Sequence, residues 1–500
     1  MSNLSDLIPA GGGQNNTDFV ADGAIASGKP VILTAAGKAA EVAISTGRES
    51  LGSPADAGGV ATSGAPNIAY DSANDRVVVV YRRSSDNYGM AAVGTLTGTS
   101  ISFGTPVVFE DTACDETPHV AFNSSANQIV ISFTEGGGSG NNYGWCVVGT
   151  VSGTSVTFGT PVVSSSVWTP RTNISYDPDE DKMVVMNKQY PNGGKAAVGT
   201  VSGTGASATI SYGTFEQFTS SNNVDNITSY YDTSENKTVI VWNENTGKAC
   251  VASISGTTVS FGAVDSFYSS SLFASDASFD TTAAKGIITW VNSSNYGVGA
   301  TATISGTAVT VAAETTFISA AISNGEDNTC SVYAGDAANI TIIAYTLSSD
   351  NYPYFLNGTV SGASMSYNSP ARLYSDNASS YRKGICATTD GKVVFAFNPS
   401  ATVGSLVDNY VYGVALQNVA DVTNLTATNL LGIAAGAILD TATGTINTWG
   451  SRNEVQSGLT IASDYYAQED GTITTTSTSP AQLLGKALSA TQINIKDYTG

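Results

Sequence analysis

The stretch NYGMAAVGTLTGTSISFGTPVV, from Asn87 to Val108, recurs five more times with drift along a chain of 500 residues. Each copy carries a glycine between Ser or Thr and a small residue, in a short turn that separates two runs of small and β-branched residues. These glycines are Gly98, Gly153, Gly203, Gly256, Gly306 and Gly362. Intervals of 50 to 56 residues between them are typical of a repeat architecture.

Each repeat supplies four strand candidates, of which the third and fourth flank the glycine turn. The first ends in an aromatic residue, as in Asn67–Tyr70, and the second is the most apolar, as in Val77–Tyr81. A continuously apolar strand is typical of one that is covered on both faces. Because the second strand occurs seven times, we predict an all-β chain with a seven-bladed β-propeller of four-stranded blades over residues 66–418.

The two ends of the chain depart from the repeat. The seventh repeat lacks the glycine turn and a clear fourth strand, so we expect Ala40–Ile44 to complete it and remove an open sheet edge. Residues 1–20 are predicted to form an extended N-terminal attachment arm, because Gly and Asn oppose regular structure there. Residues 21–65 are predicted as a short β segment and linker, and residues 419–500 as a small C-terminal β-domain.

Charge and composition argue against several classes of partner. The net charge is −21, from 20 Lys and Arg against 41 Asp and Glu. Nucleic acid and anionic membranes are therefore not expected as partners, since Lys and Arg supply most of the affinity for phosphate. No signal peptide is visible and no window reaches about eighteen apolar residues, so we expect no membrane-spanning segment and synthesis in a cytoplasm.

The sequence contains few residues that could form a metal site or a disulfide framework. The five cysteines are scattered singly, and an odd count argues against a disulfide framework. They are Cys114, Cys146, Cys250, Cys330 and Cys386. We expect them to be small buried hydrophobic residues, and with one histidine, His119, a zinc site lacks ligands. No cofactor is predicted.

Acidic clusters recur at the turns between first and second strands, at Asp177–Asp181 and more weakly at Asp71–Asp75 and Asp232–Glu235. Their oxygen atoms could hold Ca²⁺, although the spacing of an EF-hand is absent. Hydrogen bonding of the Asp side chain within a tight turn explains the recurrence without a metal. Both readings stay open at this point.

An Asn-Tyr pair opens the third strand in five repeats, and a looser match occurs in a sixth. The tyrosines are Tyr88, Tyr143, Tyr190, Tyr296, Tyr352 and Tyr410. The loops before them are the most variable, and variable loops on a rigid scaffold are where binding usually occurs. Since Tyr combines an apolar ring with a polar hydroxyl, one hypothesis is a face that binds a host glycan or protein. The alternative is a packing requirement of the repeat.

Glycoside hydrolysis would require two carboxylates that converge on one cleft. The densest group of ionisable residues lies on one loop between repeats. It consists of Asp111, Asp115 and Glu116, near His119. Other such loops offer comparable groups only at Asp225 and Glu326–Asp327. A solvated loop explains these residues, and no nucleophile motif pairs with the histidine, so we predict a protein that is not an enzyme.

Both ends of the chain resemble phage virion proteins. The opening Ser5–Ala10 with Gly11–Gly13, continuing through Gly28–Val31 and Thr34–Lys38, resembles the start of structural and tail-fibre-like proteins of marine tailed bacteriophages. Several segments near the C-terminus resemble a small β-module appended to many such virion proteins. These segments are Gly432–Ala435, Gly458–Thr460, Tyr465–Gln468, Asp470–Gly471 and Gly485–Ala490.

The resemblance implies a virion component but supplies no functional residue. We therefore predict a non-enzymatic structural protein of the phage virion, exposed as a tail-fibre or tail-associated adhesion component that recognises the host. The N-terminal arm would attach it to other virion proteins, and we expect a homo-oligomer or many copies in the particle. The alternatives are a capsid decoration or head-fibre protein, and a polysaccharide-degrading propeller enzyme.

Overall fold

The structure, a computed structural model, describes residues 15–45, 50–137, 141–322, 329–335, 340–374, 381–399, 402, 406–417, 422–426, 428–468, 470–477 and 481–496. These residues form antiparallel strands, with one short 3-10 helix at Gly205–Ser207, so the predicted all-β class is confirmed. The chain divides into two compact units, Glu49–Asn418 and a second made of Met1–Arg48 with Val419–Gly500. No helix among the described residues is long and apolar enough to cross a membrane.

Within the described part of the larger unit, seven repeats of antiparallel strands follow one another. The first strands are Ala55–Asp71, His119–Asn123, Arg171–Asp177, Asp225–Asp232, Phe273–Asp280, Thr329–Tyr333 and Tyr381–Ala387. The second strands are Arg76–Arg83, Gln128–Gly137, Lys182–Gln189, Lys237–Asn243, Lys285–Val291, Thr341–Thr346 and Lys392–Pro399. The third strands are Gly89–Thr97, Asn141–Ser152, Gly193–Ser202, Gly247–Ser255, Gly297–Ser305, Pro353–Ser361 and Tyr410–Gln417.

Two short strands share the outer edge of each third strand in the first six repeats. The fourth strands are Ser100–Phe103, Ser155–Phe158, Thr209–Tyr212, Thr258–Phe261, Ala308–Val311 and Ser364–Tyr367. The fifth, which the sequence did not predict, are Val107–Glu110, Val162–Ser165, Glu216–Thr219, Asp265–Tyr268, Thr315–Ile318 and Ala371–Arg372. In the second repeat Ala113–Cys114 adds a further pairing to the second strand.

The central residues of the second strands are mostly apolar because these strands pack on both faces. All residues of Val77–Tyr81 are almost completely buried. Val78 belongs to a core shared with Ile129 of the second repeat, whereas Val79 belongs to a core shared with Val394 of the seventh. Each repeat therefore lies between two neighbours, and first strands contact one another from each repeat to the next, with the seventh contacting the first.

The repeated glycines fix the turn between third and fourth strands. Gly98 and Gly153 adopt φ values of 60° and 61°, in the left-handed region that glycine enters without strain. A Cβ atom at either position would meet no atom within 4 Å, so the backbone conformation and not the space requires glycine. The turn is a fold signal of the repeat.

The expected donor of the closing strand was wrong. Ala39–Glu41 pairs with Pro30–Leu33 in the smaller unit, and the seventh repeat is completed instead by Ser50–Leu51 and the beginning of Ala55–Asp71. Leu51 pairs with Leu416 and Ala55 with Gly413 of the third strand of the seventh repeat. The predicted linker is therefore mostly strand.

The seventh repeat is completed in this way because a copy of the motif that ends the fourth strands lies at the start of the larger unit. Leu51–Pro54, LGSP, corresponds to Phe103–Pro106, FGTP, which ends the fourth strand of the first repeat. A Cβ atom at Gly104 would lie 2.0 Å from the carbonyl oxygen of Thr154 in the next repeat, and one at Gly52 would lie 1.9 Å from that of Thr99. The closing segment thus makes the same close contact as the ordinary fourth strands.

The smaller unit joins both ends of the chain. One sheet orders the strands as Asn16–Val20, Thr443–Asn447, Leu430–Ala434, Pro30–Leu33 and Ala39–Glu41, and Ile44–Ser45 pairs with Val422–Thr423. A second sheet contains Arg452–Asn453, Gln492–Ile495, Gln482–Ser489, Asp464–Ala467 and Ile473–Thr474. Residues 16–20 are therefore a strand and not part of an arm, because Thr443–Asn447 offers them a partner. Residues 1–14 of the predicted arm lie outside the described residues.

Candidate functional site

The six predicted tyrosines lie where second strands lead into third strands. Four of the asparagines that precede them, Asn87, Asn295, Asn351 and Asn409, have φ between 56° and 63°. Asn tolerates this left-handed conformation better than most residues, so the turn accounts for the recurrence of Asn.

Most of the tyrosine rings also have partners within the chain. Tyr88 and Tyr410 pack against the apolar cores between repeats, and Tyr143 is partly buried. The Arg83 guanidinium lies 5.2 Å from the ring centre of Tyr88, and that of Arg372 lies 3.8 Å from the ring centre of Tyr352. Tyr190 and Tyr296 are the most exposed, at 47% and 38%.

A cavity of about 440 Å³ is lined by residues from all seven first strands. Seven of the lining positions have the same register, opposite the equivalent residue of each second strand. They are Asn67, His119, Asn173, Thr228, Asp276, Cys330 and Gly384. The repeated backbone thus presents side chains that differ around the cavity, polar in the first five repeats and small in the last two.

Polar side chains of this ring connect first strands that belong to different sheets. The Asn67 Oδ1 atom accepts a hydrogen bond of 3.1 Å from the backbone N–H of Val120. The Thr228 hydroxyl donates to Asp276 Oδ1 at 3.2 Å, and the Ser331 backbone N–H donates to Asp276 Oδ2 at 2.8 Å. These contacts hold the ring residues in fixed positions.

Asp276 is the ring residue whose charge responds to pH near neutrality. Burial raises the pKa of its carboxyl to about 6, although hydrogen bonds from Ser331, Ala277 and Thr228 favour the ionised form. A carboxyl in this range exchanges its proton close to physiological pH. It can accept hydrogen bonds from ligand hydroxyls when ionised and donate one when protonated.

His119 is neutral in the cavity wall. Burial lowers its pKa to about 4, and the positive charge of Arg171 adds to the effect. Its Nδ1 atom lies 3.4 Å from Asn173 Nδ2, and Asn173 Nδ2 also donates to the Ile227 carbonyl oxygen at 2.9 Å. An amide N–H that points at Nδ1 makes Nδ1 the acceptor and assigns the imidazole proton to Nε2.

At one end of the first strands, Arg171 forms ion pairs with two carboxylates from neighbouring repeats. Its Nη1 atom contacts Glu116, and its Nε atom lies 3.0 Å from Asp225 Oδ1. The sequence had singled out Glu116, His119 and Asp225, and the structure brings these three together around Arg171. Arg171 itself was missed, because only the packing of neighbouring repeats brings it against Glu116 and Asp225.

The other carboxylates considered from the sequence lie apart from this group. Asp111 is exposed, and Asp115 contacts the Asn142 side chain. Glu326–Asp327 lies outside the described residues. Among the carboxylates of the cavity wall, Glu116 is engaged by Arg171 and Asp276 by three hydrogen-bond donors, an arrangement suited to recognising a polar ligand.

A second feature near Arg171 is a pair of exposed aromatic rings. Trp168, in the segment that leads into the first strand of the third repeat, is 45% exposed and lies against Tyr190 with ring centres 5.1 Å apart. The planes meet at 63°, an edge-to-face arrangement. Trp168 carried no repeat signal and was missed by the sequence analysis.

The acidic turns and the cysteines have structural roles. Asp71, Asp177 and Asp232 each use Oδ1 to accept two backbone N–H groups of their own turn, at 2.9 to 3.2 Å, which confirms the prediction of Asx hydrogen bonding. No group of three or more His, Cys, Asp or Glu residues in the described part of the chain could hold a metal ion. All five cysteines are buried, as predicted.

No protein-family model matches the sequence, and a search of curated proteins finds no match. Among solved structures, AofleA from Arthrobotrys oligospora is 11% identical with a TM-score of 0.41, covering 71% of this chain and 98% of that chain. NanB sialidase from Streptococcus pneumoniae, in complex with 2-[(3-chlorobenzyl)ammonio]ethanesulfonate, is 10% identical with a TM-score of 0.44, covering 72% and 69%. SapL1 lectin, in complex with alpha methyl fucoside, is 10% identical with a TM-score of 0.36, covering 61% and 96%. TM-scores below 0.5 identify no ligand or reaction for this chain.

Proposed function

We propose that residues 49–418 form a seven-bladed β-propeller that binds a neutral, hydroxyl-rich ligand, a glycan, in the cavity between its first strands. Seven equivalent positions of the first strands form a ring around this cavity, and they are the main support for binding there. Their backbones repeat, but their side chains differ and present fixed donors and acceptors to one shared cavity. A cavity of about 440 Å³ is of the size that small-molecule sites have.

The charges in and around the cavity select the class of ligand. Asp276 and Glu116 line it, and Asp225 neutralises Arg171 together with Glu116. One guanidinium is thus matched against three carboxylates, in a chain with a net charge of −21. An anionic sugar would meet an unfavourable field, whereas neutral hydroxyls find acceptors in Asp276 and Asn67 and a donor in His119 Nε2.

A glycan array that carries neutral, amino and acidic glycans tests this proposal. We expect binding to neutral or amino glycans and none to sialylated or uronic-acid glycans. Calorimetry on the bound glycan with Asn173→Ala should show a loss of affinity of about tenfold, since one ring contact is removed. Ser125→Ala, at the turn between first and second strands, is the matched control and should bind normally. Binding restricted to acidic glycans, or unaffected by Asn173→Ala, would contradict the cavity as the site.

We propose further that the chain does this as a non-enzymatic adhesion component of a phage virion, on a tail fibre or associated with the tail. The support is the resemblance of both termini to virion proteins of marine tailed phages, together with the glycan chemistry of the cavity. A capsid decoration or head-fibre protein is the alternative location. Immunogold electron microscopy of phage particles separates tail from head, and particles without label would contradict a virion protein.

A second candidate function is hydrolysis of polysaccharide, and the pKa of Asp276 is the observation that favours it. A carboxyl with a pKa of about 6 keeps a proton available to a leaving group near neutral pH. The test is the release of reducing ends from glycans that the protein binds, with native protein and with Asp276→Asn. Release by the native protein that Asp276→Asn abolishes would favour the enzyme over the adhesion component.

A further inference from the structure

Trp168 and Tyr190 form a pair of neighbouring exposed aromatic rings on an acidic chain. Of the five tryptophans, Trp242 and Trp290 are completely buried and Trp145 and Trp449 partly buried, whereas Trp168 is 45% exposed. Burying an indole would be favourable, so a ring left in water next to a second exposed ring requires an explanation.

Hydrogen bonds fix the backbone positions of these two residues. Thr169, which follows Trp168, is completely buried, and its hydroxyl oxygen lies 2.8 Å from both the Ser165 hydroxyl oxygen and the Val167 carbonyl oxygen. The Tyr190 backbone N–H donates to the Trp168 carbonyl oxygen at 2.9 Å, which ties the two residues to each other. The pair is therefore preorganised, and a ligand would pay little ordering entropy to use it.

The position of the pair relates it to the cavity. Trp168 lies three residues before Arg171, so at full extension their Cα atoms are separated by about 10 Å at most. Tyr190 follows Lys188 by two residues, and Lys188 is the residue that pairs with Arg171 across the sheet. Both rings thus lie at the Arg171 end of the first strand of the third repeat.

The size of the surface distinguishes between ligand classes. Two rings bordered by exposed polar residues, Ser166 and Asn192, form a small patch. A protein partner of ordinary affinity requires about 800 Å² on each side. A pyranose ring presents an apolar C–H face of the size of an aromatic ring, with hydroxyls around its edge. Among the described residues, none accepts a hydrogen bond from the Trp168 indole or the Tyr190 hydroxyl.

We propose that Trp168 and Tyr190 form a stacking subsite for a neutral pyranose ring, outside the cavity and at its Arg171 end. One ring of the pair would cover the C–H face of the sugar, and the other would close one side of it. The indole N–H and the phenol would then donate to ring hydroxyls. This subsite extends the proposed glycan-binding function to a second place on the chain and can hold independently of the cavity.

The test uses the intrinsic fluorescence of the full chain, titrated with the neutral oligosaccharides maltohexaose, cellohexaose and chitohexaose. We expect at least one to shift the emission and to protect it from iodide quenching, with Trp168→Ala removing this response. Calorimetry should show a loss of affinity of about tenfold for Trp168→Ala and a smaller loss for Tyr190→Ala. Trp168→Phe, which keeps a ring, should retain part of the affinity.

Tyr296→Ala is the matched control, because Tyr296 is an exposed tyrosine of the same loop type in the fifth repeat. It should bind as the native chain does. Thermal unfolding of each variant checks that the fold is intact. No response to any of the three oligosaccharides, or equal affinity of Trp168→Ala and native protein, would overturn the subsite. Self-association in sedimentation experiments that Trp168→Ala abolishes would also overturn it, since the pair would then be a contact between copies.

The subsite and the cavity are separated by a further variant, Asn173→Ala. A loss with Asn173→Ala but not with Trp168→Ala overturns the subsite and leaves the cavity as the binding place. A loss with Trp168→Ala alone supports the subsite and contradicts the cavity.

Discussion

The two ends of the first strands differ in how strongly their residues repeat from one repeat to the next. Asp71, Asp177, Asp232 and Asp280 lie at the end next to the second strand, and each accepts backbone N–H groups of its turn. Asn123 and Thr388 use a side-chain oxygen in the same way in the second and seventh repeats. Four residues earlier, at about 13 Å along the same strand, the ring positions around the cavity carry six different residue types. Repetition therefore marks the end that builds the fold, and divergence marks the end that lines the cavity.

The largest effect is expected where the repeated end closes the larger unit. Gly52→Ala places a Cβ atom 1.9 Å from the Thr99 carbonyl oxygen, so the closing segment must shift. We expect a loss of about 3 kcal/mol in the free energy of unfolding, measured by urea denaturation. Gly436→Ala is the control, since a Cβ atom there meets nothing within 4 Å. Equal stability of the two variants would contradict closure by Ser50–Leu51.

A second prediction breaks one of the repeated turns. Asp71 is completely buried, and Asp71→Ala leaves the backbone N–H groups of Ala73 and Asn74 without their acceptor. The expected loss is about 2 kcal/mol in the free energy of unfolding, with glycan binding at the other end unchanged. Asp71→Asn keeps Oδ1 and should lower the free energy of unfolding by less. In the second repeat, Asn123 Oδ1 already accepts a backbone N–H of its turn. A variant that keeps its stability but loses its ligand would reverse the comparison.

A third prediction concerns the variable end, where Asp276 titrates. Because burial raises its pKa from 3.8 to about 6, the folded state binds more protons than the unfolded state between these values. The contribution of Asp276 to the free energy of unfolding should therefore fall as the pH rises from about 4 to about 6, and it should stay constant above about 6. Thermal unfolding of native protein and Asp276→Asn across this range measures the effect, and the difference between the two should vary with pH. Parallel curves would contradict the raised pKa.

The smallest effect is expected at His119, with the opposite sign. Its pKa falls from 6.5 to about 4, so the unfolded state binds the proton more readily and stability decreases as pH falls between these values. As the chain has a single histidine, its imidazole NMR signals are resolved without assignment. They should stay constant from about pH 8 to about pH 5. A titration midpoint near 6.5 would show that the ring is solvated and not part of the cavity wall.

The repeated turns and strands were largely predictable from the sequence, because the interactions that form them lie within a few residues of each other. A glycine that must take positive φ recurs visibly at Gly98, and an apolar run such as Val77–Tyr81 indicates burial on both faces. The turn aspartates are recognised in the same way, since their hydrogen bonds stay within a few residues. The closing segment was also visible in principle, because Leu51–Pro54 repeats the signal of Phe103–Pro106, but it lies ahead of the first full repeat.

The cavity and its surroundings were decided by the tertiary structure alone. Arg171 meets Glu116 and Asp225 from repeats about fifty-five residues away on either side, and such contacts leave no local pattern. The raised pKa of Asp276 depends on burial by neighbouring first strands. Trp168 is recognised as part of an aromatic pair only because the fold places Tyr190 beside it. The repeated strands and turns follow from the sequence alone, because hydrogen bonds and burial within one repeat impose them. Which side chains share a site was decided only when the repeats packed side by side.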